Sequence, residues 1–410
     1  MQKTVAVIGG GPAGLMAAER LAAAGAAVTI YDQMPSLGRK LLMAGRGGLN
    51  LTHSEDPDAF LSRYDAERNG QAMLAPLIQQ FSPDDLVAWV NALGQETFVG
   101  SSGRVFPTAM KASPLLRAWL ARLVQHGVRL APRHKWVGWT ADGSLRFQVA
   151  GQADVLVAPD ACVLALGGAS WPRLGSDGQW TALLDAAQVP RQPFTPSNVG
   201  VRVAWSTLFL DRFAGAPLKR ITVTSGEARA EGEAVVTRDG LEGGAIYALS
   251  AAVRRALMSG GSATLRLDLR PHLTVDGLAN RLAVPRGKQS MSTFLRKATG
   301  LPPVAIALLR EGAAVTLPAA PQDFANLIKA VPVVVTGQAG IERAISSAGG
   351  IDWRATNGQM MLDALPGVFV AGEMLDWDAP TGGYLLQATL ATAVAAADGA
   401  QQWLGLGGSD

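Results

Sequence analysis

The chain has 410 residues, 48% of them apolar, with 36 Lys and Arg against 33 Asp and Glu, four His and a single Cys. That length exceeds what one hydrophobic core usually serves, so two or three domains are expected. One cysteine excludes an internal disulfide, four histidines without paired spacing offer no structural metal site, and no apolar run reaches membrane-span length without a Gly, Pro or charge breaking it.

The first strand (Val5 to Ile8) begins almost at once, which leaves no room for a signal peptide and points to a cytoplasmic protein. It runs into Gly9-x-Gly11-x-x-Gly14, an Ala-rich helix, a second strand (Val28 to Tyr31) and Asp32. Each part suits a dinucleotide. Gly9 permits the tight turn, and Gly11 lets the backbone approach a pyrophosphate with no Cβ in the way. Pro12 and Ala13 open the helix, whose free N–H groups and positive dipole end face the phosphates, and Gly14 lets that helix pack close to the sheet. Asp32 is placed to accept hydrogen bonds from ribose hydroxyls.

Next come Gly38, Arg39 and Lys40, whose two cations suit the pyrophosphate side of a cofactor, and a Gly-rich stretch from Gly45 to Asn50 expected near the far end of the same ligand. The apolar run Ala161 to Gly168 has the form of a buried parallel strand ending beside a ligand at Gly167. Cys162 lies inside that strand and reads as a buried bystander rather than a redox thiol.

After Pro196 the pattern changes to the alternation of an antiparallel sheet, then to short helical pieces from about Arg270 to Ala313. We therefore expect a discontinuous cofactor domain, 1–194 and 332–410, interrupted by an inserted substrate or cap domain at 195–331, β-rich over 195–269 and helical over about 270–313. Residues 195–330 carry seventeen Lys and Arg against ten Asp and Glu. Arg281, Arg286, Lys288, Arg296 and Lys297 follow one another with no acid between Asp276 and Glu311. Two readings stand side by side for them, a polyanion-binding rim over the cofactor cleft and an ordinary solvated surface.

The C-terminal part supplies a second βα transition. A strand ends in Gly372 and Glu373, and Gly382-Gly383 precede an Ala-rich helix from about Tyr384 to Ala397. A second such element suits a cofactor too long for one motif, and FAD fits. Its ADP half would lie on the first motif, Glu373 would meet the ribityl or pyrophosphate region, and the late helix would point at the flavin.

Several stretches together carry a family likeness: Gly9–Gly14, Gly38-Arg39-Lys40, GRVFPTAMKAS (Gly103–Ser113), ALGGASWPRLGSDG (Ala165–Gly178), TRDGLEGGAI (Thr237–Ile246), ISSAGGI (Ile345–Ile351) and AGEMLDWDAPTGGYLLQ (Ala371–Gln387). In these the chain resembles the HI0933-like flavoproteins, a family related in its cofactor domain to the glutathione-reductase-type FAD enzymes. The resemblance implies an α/β fold with a Rossmann-like FAD-binding domain interrupted by the insertion. It also implies reduction of activated C=C bonds, with unsaturated steroid-CoA esters and uridine in ribosomal RNA among the substrates. One departure stands out. The family's loop usually ends Gly-Arg-Cys-Asn, and here the Arg and Cys positions hold Gly48 and Leu49. Any use of that Arg or Cys on substrate is closed to this chain, which places it in a side branch.

A second GxGxxG for a resident nicotinamide cofactor is missing, as is a CxxC pair, so disulfide reduction is excluded. What remains is a flavin that takes hydride from a transiently bound NAD(P)H and passes it on, or an oxidase using oxygen; the resemblance implies the first, with an activated C=C bond of a small or CoA-linked enone as the acceptor. A flavin enzyme acting on RNA and a non-catalytic flavin-binding module stay open beside it. Reduction of such a bond needs a proton donor. Tyr384, Asp376 and Asp378 near the late helix start, and His53 beyond the Gly-rich loop, are the candidates.

Overall fold

The computed structural model describes residues 1–43, 48–65, 70–313 and 316–406. They divide into two compact units, one of residues 1–195 with 345–410 and one of residues 196–344. Each unit has its own apolar core.

The first unit is built on a five-stranded parallel sheet. Its elements are β1 (Thr4–Ile8), α1 (Pro12–Ala23), β2 (Ala27–Asp32), α2 (Ala112–Gln125), β3 (Arg129–Pro132), β4 (Ala161–Leu164), β5 (Val368–Val370) and α3 (Tyr384–Leu404). Strand order across the sheet is β5-β4-β1-β2-β3, with every neighbouring pair parallel. The order reverses between β1 and β4, and in such sheets the crevice outside the carboxyl ends of those two strands is where ligands bind. The central strands β1 and β4 are buried along almost their whole length, as their unbroken apolar runs require.

Helix α1 begins at Pro12, whose missing N–H costs nothing at the first helical position, and its N-cap is Gly11, with no side chain capping the free N–H groups. The long Ala-rich α3 is buried on most of its surface and packs against α1, small side chains letting the two axes approach. Smaller antiparallel sheets complete the unit. One joins Thr52–His53, Arg104–Pro107 and Thr97–Val99, and the other joins Lys135–Trp139, Leu145–Gln148 and Val155–Val157.

The second unit carries a seven-stranded sheet that includes Pro217–Ser225, Ala228–Val236, Ala263–Asp268 and Val331–Val335. Helices follow at Val275–Leu282, Met291–Thr299, Pro303–Gly312 and Pro321–Lys329. Its C-terminal limit falls at 344 rather than 331, because Val331–Val335 pairs antiparallel with Ala263–Asp268 and Gly337–Gln338 pairs with Val201–Arg202. Among the described residues no helix is long and apolar enough to cross a membrane.

Candidate cofactor and active site

A cavity of about 550 Å³ opens at the carboxyl ends of β1 and β4, and its whole wall belongs to the first unit. The turn after β1 forms one side. Gly9 has φ +107°, and a Cβ there would lie 2.2 Å from the carbonyl oxygen of Ala165, so only glycine lets the two strand ends meet. Gly14 is held to the same rule by packing, since its Cβ would lie 1.8 Å from the Gly9 carbonyl. Gly11 is different: no protein atom lies within 4 Å of its missing Cβ, and it lines the cavity with Pro12 and Ala13. The uncapped start of α1 therefore presents N–H groups to open space.

Asp32 stands on the same wall at the end of β2. Its Oδ2 accepts from the Gly10 N–H at 2.7 Å and its Oδ1 from the Met34 N–H at 2.7 Å. Burial raises its carboxyl above the ordinary aspartate value, although the Met34 and Gly10 hydrogen bonds and the Arg39 charge pull it down. Each oxygen keeps a lone pair for a ligand hydroxyl.

Across the cavity, Lys40 and Glu373 form a pair that joins opposite ends of the sequence. The Lys40 ammonium donates to Glu373 Oε2 at 2.6 Å and to Ser170 Oγ at 2.7 Å. Glu373 Oε1 in turn accepts from the Ser347 N–H at 2.8 Å and from its hydroxyl at 3.2 Å. Lys40 is thus not a free cation awaiting a phosphate; it is already bound to the acid expected to meet the ligand on its own.

Gly38, Arg39, Asn50 and Gly167 line the cavity as expected, while Gly45 lies outside the described residues. The wall also includes side chains that sequence reasoning did not single out: Trp136, Trp171, Trp180, Trp377, Gln33 and Ser176. Trp171 and Ser176 fall inside the quoted ALGGASWPRLGSDG stretch, which was the available signal. Trp180 is fixed by a 2.9 Å hydrogen bond from its indole N–H to the Gly167 carbonyl.

Three expected contacts are not on this wall. Gly372 packs inward, where a Cβ would lie 2.9 Å from that of Ala13. Gly383 turns to the strand Thr52–His53, where a Cβ, at φ +101°, would lie 2.5 Å from Thr52 Cα, and a Cβ at Gly382 would lie 3.0 Å from the Tyr384 ring. Their absent side chains make room for the protein's own atoms, and it is Leu385, Leu386 and Thr389 of α3 that reach the cavity.

The proposed proton donors are likewise placed off the cavity wall. Tyr384 is buried, and its hydroxyl donates to Glu55 Oε1 while its carbonyl accepts from the Tyr64 hydroxyl at 2.9 Å. Burial, with the adjacent Glu55 carboxylate, pushes the Tyr384 phenol well above the ordinary range. His53 stacks on the Tyr384 ring at 5.6 Å, and Arg63 pairs with Glu55 at 2.7 Å. Asp376 is half-buried, and its carbonyl accepts from the Trp353 indole N–H at 2.7 Å; Asp378 is buried and accepts from the Ala379 N–H at 2.9 Å.

The cavity's unmet chemistry fits FAD. Among the described residues, Arg39 Nε, Asn50 Oδ1 and Ser176 Oγ are buried with no hydrogen-bond partner, and all three residues line it. Buried polar atoms are almost always paired, so these call for a polar ligand. The bare Gly11 turn suits its pyrophosphate, Asp32 a ribose, and the aromatic wall its flat rings.

Comparison with known proteins agrees with this geometry. The profile of the HI0933-like protein Rossmann domain matches residues 3–399. The chain is 25% identical over 419 residues to the 3-dehydro-bile acid delta(4,6)-reductase of Clostridium scindens, covering 95% of this chain and 96% of that protein. It is 24% identical over 410 residues to the ribosomal RNA dihydrouridine synthase of Haemophilus influenzae, with the same coverage. In fold it is similar to 3-ketosteroid delta1-dehydrogenase from Sterolibacterium denitrificans, with a TM-score of 0.53 at 12% identity over 97% of this chain and 99% of that one. The chain belongs to the HI0933-like family and is an FAD-dependent oxidoreductase built on a Rossmann-type cofactor domain.

Proposed function

We propose that the protein reduces an activated C=C bond of a small, largely apolar substrate with electrons drawn from NAD(P)H. One observation carries this reading: the likeness to a bile-acid delta(4,6)-reductase extends over 95% of the chain, and the cavity of this chain includes four Trp, seven Leu and two Met in its wall. Bound FAD supplies the two-electron step, accepting a hydride and handing it on. The chain's own residues bind and orient. Asp32 and the Gly9–Gly14 turn would hold one half of the cofactor, and Arg39, Asn50 and the Lys40–Glu373 pair would flank the other. Trp171, Trp180 and Trp377 line the same cavity, where their rings would limit the access of water to a bound substrate.

No thiol competes for the electrons. Cys162, the sole cysteine, is fully buried in β4, and burial pushes its thiol far above the ordinary range. Anaerobic mixing of the purified flavoprotein with NADH or NADPH, followed by a panel of enones, tests the reading. Bleaching by a nicotinamide and recolouring by an α,β-unsaturated ketone supports it; recolouring by oxygen alone counts against it.

The basic insertion favours a second reading, reduction of uridine in RNA, the chemistry named for the Haemophilus influenzae relative. Loss of dihydrouridine from ribosomal RNA on deletion of the gene would support it over the small-molecule reading.

A further inference from the structure

We propose that the Lys40–Glu373 ion pair sets the reduction potential of the bound flavin, Lys40 supplying the charge that favours the reduced form and Glu373 fixing and moderating it. The pair is built into the wall from four separate stretches of chain. Besides its bond to Glu373, Lys40 donates to the hydroxyl of Ser170, which is fully buried. Glu373 Oε1 accepts from both the N–H and the hydroxyl of Ser347, and Ser347 Oγ itself accepts from the Ala169 N–H at 3.1 Å. Gly168 leaves the space these contacts need: a Cβ there would lie 1.8 Å from Ser347 Oγ and 3.1 Å from Glu373 Cδ. The two charged side chains are 26% and 16% exposed, and both residues line the cavity. A partly desolvated ion pair adds little stability over apolar side chains of the same size. Fixing this one so firmly on the wall of a ligand cavity points to an electrostatic task.

Strand order says which half of the cofactor the pair meets. Along the carboxyl edge of the sheet, Asp32 ends β2, the Gly9–Gly11 turn follows β1, Ala165 to Gly167 follow β4, and Glu373 follows β5. Glu373 thus stands three strand spacings from Asp32, roughly 14 Å at about 4.8 Å each. With the ribose at Asp32 and the pyrophosphate at Gly11, the part of an extended FAD that reaches β5 is the flavin half. The other acids and lysine of the wall gather at the opposite end. The N–H of His134, beside Lys135, donates to the Asp32 carbonyl at 2.9 Å, and Asp177 accepts from the Gln33 amide at 3.3 Å.

Taking up a hydride from NAD(P)H adds one negative charge to the cofactor. A cation nearby favours that reduced form, a carboxylate opposes it, and a cation paired with a carboxylate acts in between. Lys40 is placed for this in a second way. Its ammonium has three N–H donors, and among the described residues the protein uses two of them, so the third is left for the ligand. The tuning is independent of the final acceptor, because it acts on the flavin before any substrate is reduced.

This role rests on the proposed placement of FAD, and the two are tested apart. Full-length, flavin-loaded wild type, Glu373→Gln, Lys40→Met and the double variant are reduced stepwise at pH 8 beside a reference dye, with no nicotinamide or enone present. Glu373→Gln leaves the ammonium uncompensated. It should raise the ratio of reduced to oxidised flavin at a given potential by about ten-fold, about 30 mV for a two-electron couple. Lys40→Met should lower the ratio by about as much, and the double variant should return to within about two-fold of the wild type. Lys40→Arg, which keeps the charge, should stay near the wild-type value. If a variant loses its flavin on purification, the ratio of its affinities for reduced and oxidised FAD gives the same shift through the thermodynamic cycle. A purely structural pair would lower stability, or the affinity for both redox forms alike, and leave the potential where it was. The proposal is overturned if both single variants keep the wild-type potential, or if Glu373→Gln shifts it downward. Unshifted potentials together with loss of FAD from Gly11→Val would remove the tuning role and leave the placement standing, whereas wild-type FAD affinity in Gly11→Val would remove the placement itself.

Discussion

Replacing Gly11 by valine separates the needs of the cofactor from the needs of the fold. A Cβ at this position meets no protein atom within 4 Å, and the backbone there has φ −81°, which any residue accepts. The cost to the protein is confined to a poorer helix N-cap, about 1 kcal/mol. The cost to the ligand is larger. The branched side chain would stand where a pyrophosphate approaches the free N–H groups of α1, and two charge-assisted hydrogen bonds at about 1.5–3 kcal/mol each would be lost. That sum, about 3–6 kcal/mol, corresponds to a weakening of FAD binding by roughly a hundred- to ten-thousand-fold. Gly14→Ala is the matched contrast, because its Cβ would lie 1.8 Å from the Gly9 carbonyl and must force α1 away from β1. Flavin-to-protein ratio by absorbance, FAD titration by fluorescence quenching, and thermal melts of the apoproteins are the assays. Gly11→Val is expected colourless with a near-normal apoprotein melt, and Gly14→Ala less stable by about 1–3 kcal/mol or more. A Gly11→Val protein that binds FAD with wild-type affinity would refute the placement of the pyrophosphate.

Cys162 should resist thiol reagents in the native protein and react only on unfolding, and Cys162→Ala should cost about 1 kcal/mol with activity unchanged. Tyr384→Phe should leave FAD binding intact and lower stability by about 1–2 kcal/mol through the lost bond to Glu55. If Tyr384 is the proton donor, the same variant will still be bleached by nicotinamide but will slow on the substrate. Glu55 provides a pH prediction. Burial alone would raise its carboxyl, but the bonds from Arg63 and Tyr384 and the Arg63 charge outweigh this and hold it below the ordinary value of 4.5. A carboxyl depressed on folding contributes stability above its unfolded value and loses it as pH falls through the folded one. Acid denaturation below pH 4.5 should therefore be shallower in Glu55→Gln than in the wild type.

The cofactor turn was legible because its requirements are local. Gly9, Gly11, Gly14 and Asp32 sit within one βαβ unit, where spacing alone places them. Lys40 and Glu373 were each legible as site residues, yet their bond spans 333 positions and no periodicity reports it. Gly383 has a structural requirement that its sequence context does not report: a glycine before a helix looks the same whether its missing side chain makes room for a ligand or, as here, for the backbone of Thr52. Three tryptophans of the wall, Trp171, Trp180 and Trp377, come from loops and helix starts, where no repeat marks which way a side chain faces. The inserted unit's limit moved to 344 because strand pairing, not composition, holds Val331–Val335 and Gly337–Gln338 in it.

The central claim is that electrons pass through this cavity to an activated C=C bond. Anaerobic single-turnover measurement tests it most directly: reduce the bound flavin with one equivalent of NADH or NADPH, then add an α,β-unsaturated ketone and follow flavin absorbance while analysing the product. The account predicts reoxidation with one saturated product formed per flavin. A reduced flavin that persists against every enone and every RNA substrate offered, and recolours only when oxygen is admitted, would contradict it.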